Sequence, residues 1–243
     1  MHQKKLNIAI IGYGKMGKAI EAIALAKGHQ VPVKISSQNK HEFTADNLQQ
    51  CDVAIEFTNP HSAVENIKTC IDAGLPVISG TTGWLEELEF IKQYVAEKKA
   101  AFLYASNFSI GVNIFFEVNK KLASLMAGHP SYHVGVEEIH HTAKKDAPSG
   151  TAISLAEQII ANYPGKNKWV NDGVATEEEV AIVSKRIDPA PGTHHVVYSS
   201  SIDDIEIIHT AHNRQGFAVG AVLAAEYIAG RHGFFSMKDV LGF

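Results

Sequence analysis

The sequence predicts an α/β protein: a doubly wound parallel sheet followed by a second, α+β region. Three observations carry this. From Leu6 to Ala105, short apolar runs alternate five times with helix-spaced segments across short links. The first run ends in Gly12-x-Gly14-x-x-Gly17, at the point where a helix begins. After Ser109 the alternation changes, and three strand-like runs follow one another without helices between them.

The first strand is Leu6–Ile11. The helix after it repeats apolar residues at Ile20, Ile23 and Ala24 and stops at Gly28. In this strand–turn–helix setting the glycines have separate tasks. Gly12 permits the tight turn, Gly14 lets a pyrophosphate approach the backbone, and Gly17 lets helix and strand pack closely. The segment Gly12, Tyr13, Gly14, Lys15, Met16 and Gly17 is therefore a candidate dinucleotide site of the Rossmann type. The plainer reading is a glycine-rich connection.

The second strand is Val31–Ile35. An acid at its end would hold the adenosine ribose, but the chain continues Ser36-Ser37-Gln38-Asn39-Lys40. Without that acid the extra phosphate of NADPH is not repelled. Ser36, Ser37 and Lys40 could hold it, or could be a solvated loop. NADPH or NADH is expected as cofactor, with a lean to NADPH or dual use. The third strand, Asp52–Phe57, leads into Thr58 and a helix over His61–Ala73. The fourth, Pro76–Ser79, delivers Gly80-Thr81-Thr82-Gly83 and a helix over Trp84–Lys99, which Thr81 or Thr82 could cap. The fifth, Ala101–Ala105, leads into Ser106-Asn107-Phe108-Ser109. In such a sheet, ligands lie beyond the carboxyl ends of the strands, where these polar loops sit.

The second half opens with a helix over Ile110–Met126 and a strand over His133–Ile139. A crowded stretch, Glu138-Ile139-His140-His141-Thr142-Ala143-Lys144-Lys145-Asp146-Ala147-Pro148-Ser149-Gly150-Thr151, overlaps the end of that strand and opens a helix running to Asn162. A helix start offers free N–H groups and positive potential to an anion. Lys144 adds a point charge, Ser149 and Thr151 add hydroxyls, and His140 and His141 can carry a proton near neutrality. The plain alternative is a polar loop ending in a helix cap. Residues 166–177 are polar without a period. Strands are expected over Glu179–Arg186, His194–Ser200 and Ile205–His212, and an apolar helix from Phe217 to near Gly230.

Composition narrows the class. A length of 243 residues permits one large domain or two small ones, and 45% hydrophobic with 20% charged residues is ordinary for a soluble globular protein. The net charge of −4, with no basic stripe, argues against nucleic acid. Cys51 and Cys70 form no Cys-x-x-Cys pair, which suits a reducing, cytoplasmic setting. Met1-His2-Gln3-Lys4-Lys5 runs straight into a strand, so no signal peptide is expected, and no apolar run is long enough for a membrane span. Thirteen histidines invite a metal reading. The pairs His140-His141 and His194-His195 lie on strands, offering about one ligand per face, and His209-x-x-His212 lacks metal-ligand spacing, so no metal is expected.

His140 to Ala152, His-His-x-x-Lys-x-Asp-Ala-Pro-Ser-Gly-Thr-Ala, resembles the signature of the dihydrodipicolinate reductase family. The resemblance runs from Gly12 to the terminal Asp239-Val240-Leu241. It implies that residues 1–109 plus 215–243 form the dinucleotide-binding domain, and that residues 110–214 are an inserted α+β substrate-binding and oligomerisation domain, with hinges near Ser109 and Arg214. It further implies a homotetramer. Phe57, Thr58, Gly80, Thr81, Thr82, Ala105, Ser106, Asn107 and Phe108 would line the cofactor, with Ser36 near its ribose. His140 would be the proton donor and Lys144 its partner. His141, Lys144, Ser149, Gly150 and Thr151 would hold a small dicarboxylate, the cyclic product of aspartate semialdehyde and pyruvate, which NAD(P)H reduces in diaminopimelate and lysine biosynthesis. Asp188 stands where the family's Arg-x-Gly-x-x-Gly-x-His loop has its first glycine. Alternatives are another two-domain NAD(P)-linked oxidoreductase of an amino-acid-derived acid, or a non-catalytic dinucleotide sensor. The cluster of His140 and Lys144 argues against the sensor.

Overall fold

The first apolar run forms β1 (Asn7–Ile11), and the glycine turn releases α1 (Lys15–Ala26). Then come β2 (Gln30–Ile35), a short α2 (Ala45–Leu48), β3 (Val53–Glu56), α3 (Pro60–Asp72), β4 (Val77–Ser79), α4 (Leu88–Glu97) and β5 (Ala101–Tyr104). The computed structural model describes residues 4–213 and 215–243. Arg214, expected as a hinge, lies outside the described residues. The inner strands β1, β3, β4 and β5 are near-continuous apolar runs because both faces of the sheet are covered there, whereas the edge strand β2 alternates. Ile8 and Ile10 pack with Ile20 and Ala24 of α1, while Ala9 and Ile11 pack with Ile67 of α3 and Ile91 of α4. Asn59 caps α3, accepting from His61 N at 3.1 Å, and Pro60 occupies its first turn.

The chain then builds a second unit from α5 (Ile110–Met126), β6 (His133–His140), α6 (Gly150–Asn162), β7 (Lys168–Asn171), β8 (Glu179–Arg186), β9 (Gly192–Ser199) and β10 (Asp204–Ala211). Its five-stranded sheet has the order β10-β9-β6-β8-β7. β6 runs parallel to β8 and antiparallel to β9, so the sheet is mixed. One face is apolar and covered: Val134 and Val136 of β6 meet Phe115 and Met126 of α5 and Leu155 and Ile159 of α6. Burial on β6 alternates, and Val134, Val136, Glu138 and His140 share the buried side.

The last segment returns to the first unit as α7 (Gln215–Ile228), β11 (Gly233–Phe235) and α8 (Met237–Leu241). β11 adds beside β5 and completes a six-stranded parallel sheet of order β11-β5-β4-β3-β1-β2. Ala218, Ala221, Val222 and Ala225 of α7 are fully buried in its core. A β-carbon on Gly220 would stand 1.7 Å from the Phe108 carbonyl oxygen, so α7 approaches at a distance only glycine allows. The two compact units are thus residues 4–110 with 215–243, and residues 111–213.

Several elements depart from expectation. The helix placed from Trp84 begins at Leu88, behind a 3₁₀ turn over Leu85–Glu87, so neither Thr81 nor Thr82 caps it at Trp84. Strands β7 and β11 and the short α2 were not foreseen. Among the described residues, no helix is long and apolar enough to cross a membrane.

Candidate active site

In the first unit, the carboxyl ends of the strands form a cradle. Gly12 takes φ +102°, and its N–H and that of Tyr13 both donate to the Ile35 carbonyl, at 2.9 and 2.7 Å. A β-carbon on Gly12 would lie 2.0 Å from the Phe57 carbonyl oxygen, and one on Gly17 2.6 Å from the Gly12 carbonyl oxygen. Nothing approaches within 4 Å of the corresponding point at Gly14. Gly12 and Gly17 are thus glycines for packing, and Gly14 leaves open backbone for a phosphate. Gly14 also gives α1 no side-chain cap, so the helix presents its amides to an anion.

Two cavities meet this turn. One of about 590 Å³ is lined by Gly12, Tyr13, Ser36, Ser37, Lys40 and Phe57 among others. The second, of about 360 Å³, takes in Gly14, Lys15, Met16, Thr58, Gly80, Thr81 and Thr82. The glycine turn, Ser36, Phe57, Thr58 and the Gly80–Thr82 loop are therefore assembled together, and they fit a dinucleotide. Ala105, Ser106, Asn107 and Phe108 line neither cavity. Phe108 stands behind the Phe57 ring at 5.5 Å between centroids. Ser36 uses both its N–H and hydroxyl on Asn39 Oδ1, at 2.7 and 2.9 Å, which shapes the loop that brings Lys40 to the cavity.

Sequence reasoning missed Glu56. This carboxylate is fully buried at the end of β3. It accepts from Ser79 Oγ at 2.6 Å, from Thr81 Oγ1 at 3.0 Å and from Thr58 Oγ1, while Thr58 N donates to Thr81 Oγ1 at 2.8 Å. Burial pushes its carboxyl above the usual range, and these hydroxyl donors pull it back. Glu56 thereby ties the Phe57-Thr58 loop to the Gly80–Thr82 loop. Its signal in the sequence was a lone acid closing an apolar strand.

In the second unit, β6 ends at His140, and the polar stretch turns away from it. His140 Nδ1 bonds Glu138 Oε2, and Arg186 Nη1 donates to the other oxygen, Oε1, at 2.9 Å. Arg186 also donates to the Asp146 carbonyl at 2.6 Å, which anchors the loop. Burial pushes the Glu138 carboxyl up, but the bonds from His140 and Arg186 prevail and hold it at about 2. The His194 ring meets that of His140 edge-on, 5.2 Å between centroids. His194 Nε2 lies 3.1 Å from Ser149 Oγ, and its Nδ1 has no hydrogen-bond partner. Burial, then the neighbouring His140, lower the pKa of His194 to about 3, which favours its neutral form.

The remaining candidates lie along the loop and the helix start. Ser149 caps α6, accepting from Ala152 N at 3.2 Å, and is itself buried. The cap reading of Ser149 is therefore the one the structure shows. Gly150 and Thr151 form the first turn of α6. Lys144 Nζ is held by both oxygens of Asp146 at 2.8 and 2.7 Å. His141 follows the strand end, half-buried, and its carbonyl accepts from Lys144 N at 3.1 Å. Asp188 accepts from Thr142 N at 3.1 Å and Thr142 Oγ1 at 2.6 Å. It thus pins the loop after β6 to the one between β8 and β9.

Glu138, His140 and His194 place potential metal donors within 4.8 Å of one another. Arg186 already occupies one oxygen of Glu138 and sets a fixed positive charge against that use. Burial pushes the Cys51 thiol up to about 11 and raises that of Cys70 as well, so neither is poised as the nucleophile an acylating dehydrogenase would need.

Comparison with known proteins is consistent along the chain. The family sequence model described as "Dihydrodipicolinate reductase, N-terminus" matches residues 6–108, and "Dihydrodipicolinate reductase, C-terminus" matches residues 111–241. The 4-hydroxy-tetrahydrodipicolinate reductase of Christiangramia forsetii is 49% identical over 237 residues, 97% of this chain and 98% of that protein. That of Methanocaldococcus jannaschii is 37% identical over 212 residues, 82% of this chain and 76% of its own length. A dipicolinate-bound dihydrodipicolinate reductase from Paenisporosarcina sp. TG-14 superposes with a TM-score of 0.73, covering 96% of this chain and 98% of its own. At 23% identity, that likeness speaks for the fold.

Proposed function

The chain belongs to the dihydrodipicolinate reductase family, and on that premise we propose how its residues carry the reaction. The protein is an NAD(P)H-dependent oxidoreductase that reduces 4-hydroxy-tetrahydrodipicolinate to tetrahydrodipicolinate, in diaminopimelate and lysine biosynthesis. A hydride and a proton are added and water leaves. NADH or NADPH, when bound, supplies the hydride. Gly12–Gly17 would hold its pyrophosphate, the Ser36–Lys40 loop would meet its adenosine end, Phe57-Thr58 would line it, and the Gly80–Thr82 loop would take its nicotinamide half, with Phe108 packed on the Phe57 ring.

One observation carries the assignment of roles. A single cluster joins a titratable imidazole, His140, through His194 to Ser149 at the start of a helix. The substrate carries two carboxylates, and Lys144, His141, Ser149, Gly150 and Thr151 receive one of them, with the positive end of α6 adding to the charge of Lys144. His140 gives the proton to the ring. His194, which burial holds toward its neutral form, is the poorer donor. A dinucleotide sensor would need neither the proton donor nor the anion loop.

The outer face of the second unit's sheet presents Ile208, Val197, Ile139 and Val183, of which Ile208 is 57% exposed. We assign this face to pairing between copies in a homotetramer, which light scattering would test. A cytoplasmic setting matches the reducing chemistry and the unpaired thiols.

The test of the reaction is a coupled absorbance assay. A preceding synthase makes the substrate in place from pyruvate and aspartate semialdehyde, and NADH and NADPH oxidation are followed separately. Turnover with either establishes the reaction. Tight cofactor binding with no oxidation of either would mean that the anion loop serves another acid.

A further inference from the structure

We infer that Glu138 is a positioning residue for the proton transfer: it accepts the Nδ1–H of His140, so that Nε2 is the atom that gives the proton. The inference rests on the reading of His140 as donor, and it adds a residue that the signature stretch does not contain.

The geometry is specific. Glu138 and His140 lie two residues apart on β6, so their side chains share the buried face. The two oxygens of Glu138 have different partners, Oε2 with His140 Nδ1 and Oε1 with Arg186 Nη1 at 2.9 Å. Arg186, on the neighbouring parallel strand β8, pairs in register with His140 and keeps the carboxylate from rotating. Glu138 is 0% exposed and His140 9% exposed. The acid is therefore sealed from substrate, and any proton leaving the pair goes through the imidazole. A carboxylate behind Nδ1 fixes the tautomer and stabilises the imidazolium, as a buried acid does for the histidine of a hydrolase triad. Arg186 of β8 bonds the acid and His194 of β9 meets the imidazole, while His209 of β10 and Lys144 of the loop act in turn on His194.

Replacing the carboxylate with an amide reverses this pattern. In Glu138→Gln, Arg186 keeps the amide carbonyl, and the amide NH₂ faces Nδ1. A donor then opposes a donor whenever the ring is protonated.

The experiment compares pH–rate profiles of the wild type, Glu138→Gln, Glu138→Asp, His140→Gln and the double variant Glu138→Gln/His140→Gln, with NADPH binding and thermal melts as checks of folding. Glu138→Gln is expected to lower kcat roughly 10–10²-fold at neutral pH, with KM little changed and the alkaline limb of the profile moved to lower pH. Glu138→Asp should recover part of the loss. The double variant should be no slower than His140→Gln. Wild-type kcat and profile in Glu138→Gln, beside a crippled His140→Gln, would overturn the positioning role and leave the donor standing. Wild-type turnover in His140→Gln would overturn the donor itself. A full extra loss in the double variant would mean that Glu138 acts elsewhere. Nitrogen NMR of the wild-type His140 ring gives a reading independent of any variant's folding. A proton on Nδ1 is expected, and a neutral ring protonated only at Nε2 would overturn the inference.

Discussion

A β-carbon on Gly192 would stand 2.9 Å from His140 Nε2 and 3.2 Å from its Cδ2. The first residue of β9 thus sets the space in which the proposed donor sits. Gly192→Ala should push the ring off its line, and misplacement on the order of 1 Å costs roughly 10²-fold in rate. We expect kcat to fall by about that factor with NADPH affinity unchanged. Steady-state kinetics beside a cofactor titration checks this, and wild-type kcat would show that the ring shifts at no cost.

Removing the donor should cost more than displacing it. His140→Gln is expected to lower turnover by about 10²–10⁴-fold, the range for loss of a general acid. Lys144→Ala should weaken both apparent substrate affinity and turnover. An unchanged KM in that variant would contradict its role on the carboxylate.

Stability should depend on pH through His194. Its folded pKa, lowered to about 3, lies below the ordinary 6.5. Between those values the unfolded chain binds a proton that the folded chain does not, so stability falls as pH drops from 6.5 toward 3, by roughly a few kcal/mol if this group acts alone. Glu138 adds a lower window. Its carboxyl, held at about 2 against an ordinary 4.5, stabilises the fold above 4.5 and loses that contribution as pH falls through 2. Urea midpoints at pH 7.5, 6 and 5 should decline, and His194→Gln should flatten the decline. An equal slope in the variant would assign the effect to other groups.

Cofactor choice should respond to Lys40. It lines the same cavity as Ser36 and Ser37, with no acid at the end of β2 to oppose a phosphate. Lys40→Ala is expected to raise KM for NADPH several-fold and leave KM for NADH near wild type. Equal changes for both cofactors would remove Lys40 from phosphate recognition.

Gly220→Ala should strain the seam between α7 and Phe108. The added carbon would lie 1.7 Å from a backbone oxygen, so backbone must move. We expect a loss of at least about 1–3 kcal/mol, seen as a lower Tm. A Tm equal to wild type would mean that α7 slides freely.

The inner part of the first sheet could be read in the sequence because β1, β3, β4 and β5 are mostly apolar runs and the turn after β1 carries glycine. β7 could not, since an edge strand with only Trp169 and Val170 leaves no period. β11 is three residues long and gains its identity only by lying beside β5. The stretch from Glu138 marked the site, but the bonds that join Glu138 to His140 and Arg186 were hidden. Glu137 and Glu138 are adjacent acids, and only strand parity says which one faces inward. Counting back two residues from His140 would have selected Glu138. Arg186 reaches it through a parallel pairing 48 residues away, which local sequence does not encode.

The discontinuous first unit has a consequence for how the chain is made. When residues 4–110 have left the ribosome, the sheet still lacks the strand that will pair with β5. The face of Ile8, Ile10 and Ile55 still lacks α7. The mixed-sheet unit is synthesised whole before those parts arrive. The nascent first unit therefore waits, with apolar surface uncovered, through the translation of more than a hundred residues. The final 29 residues act as a keystone, and until they emerge the earliest part of the chain is the one most in need of a chaperone.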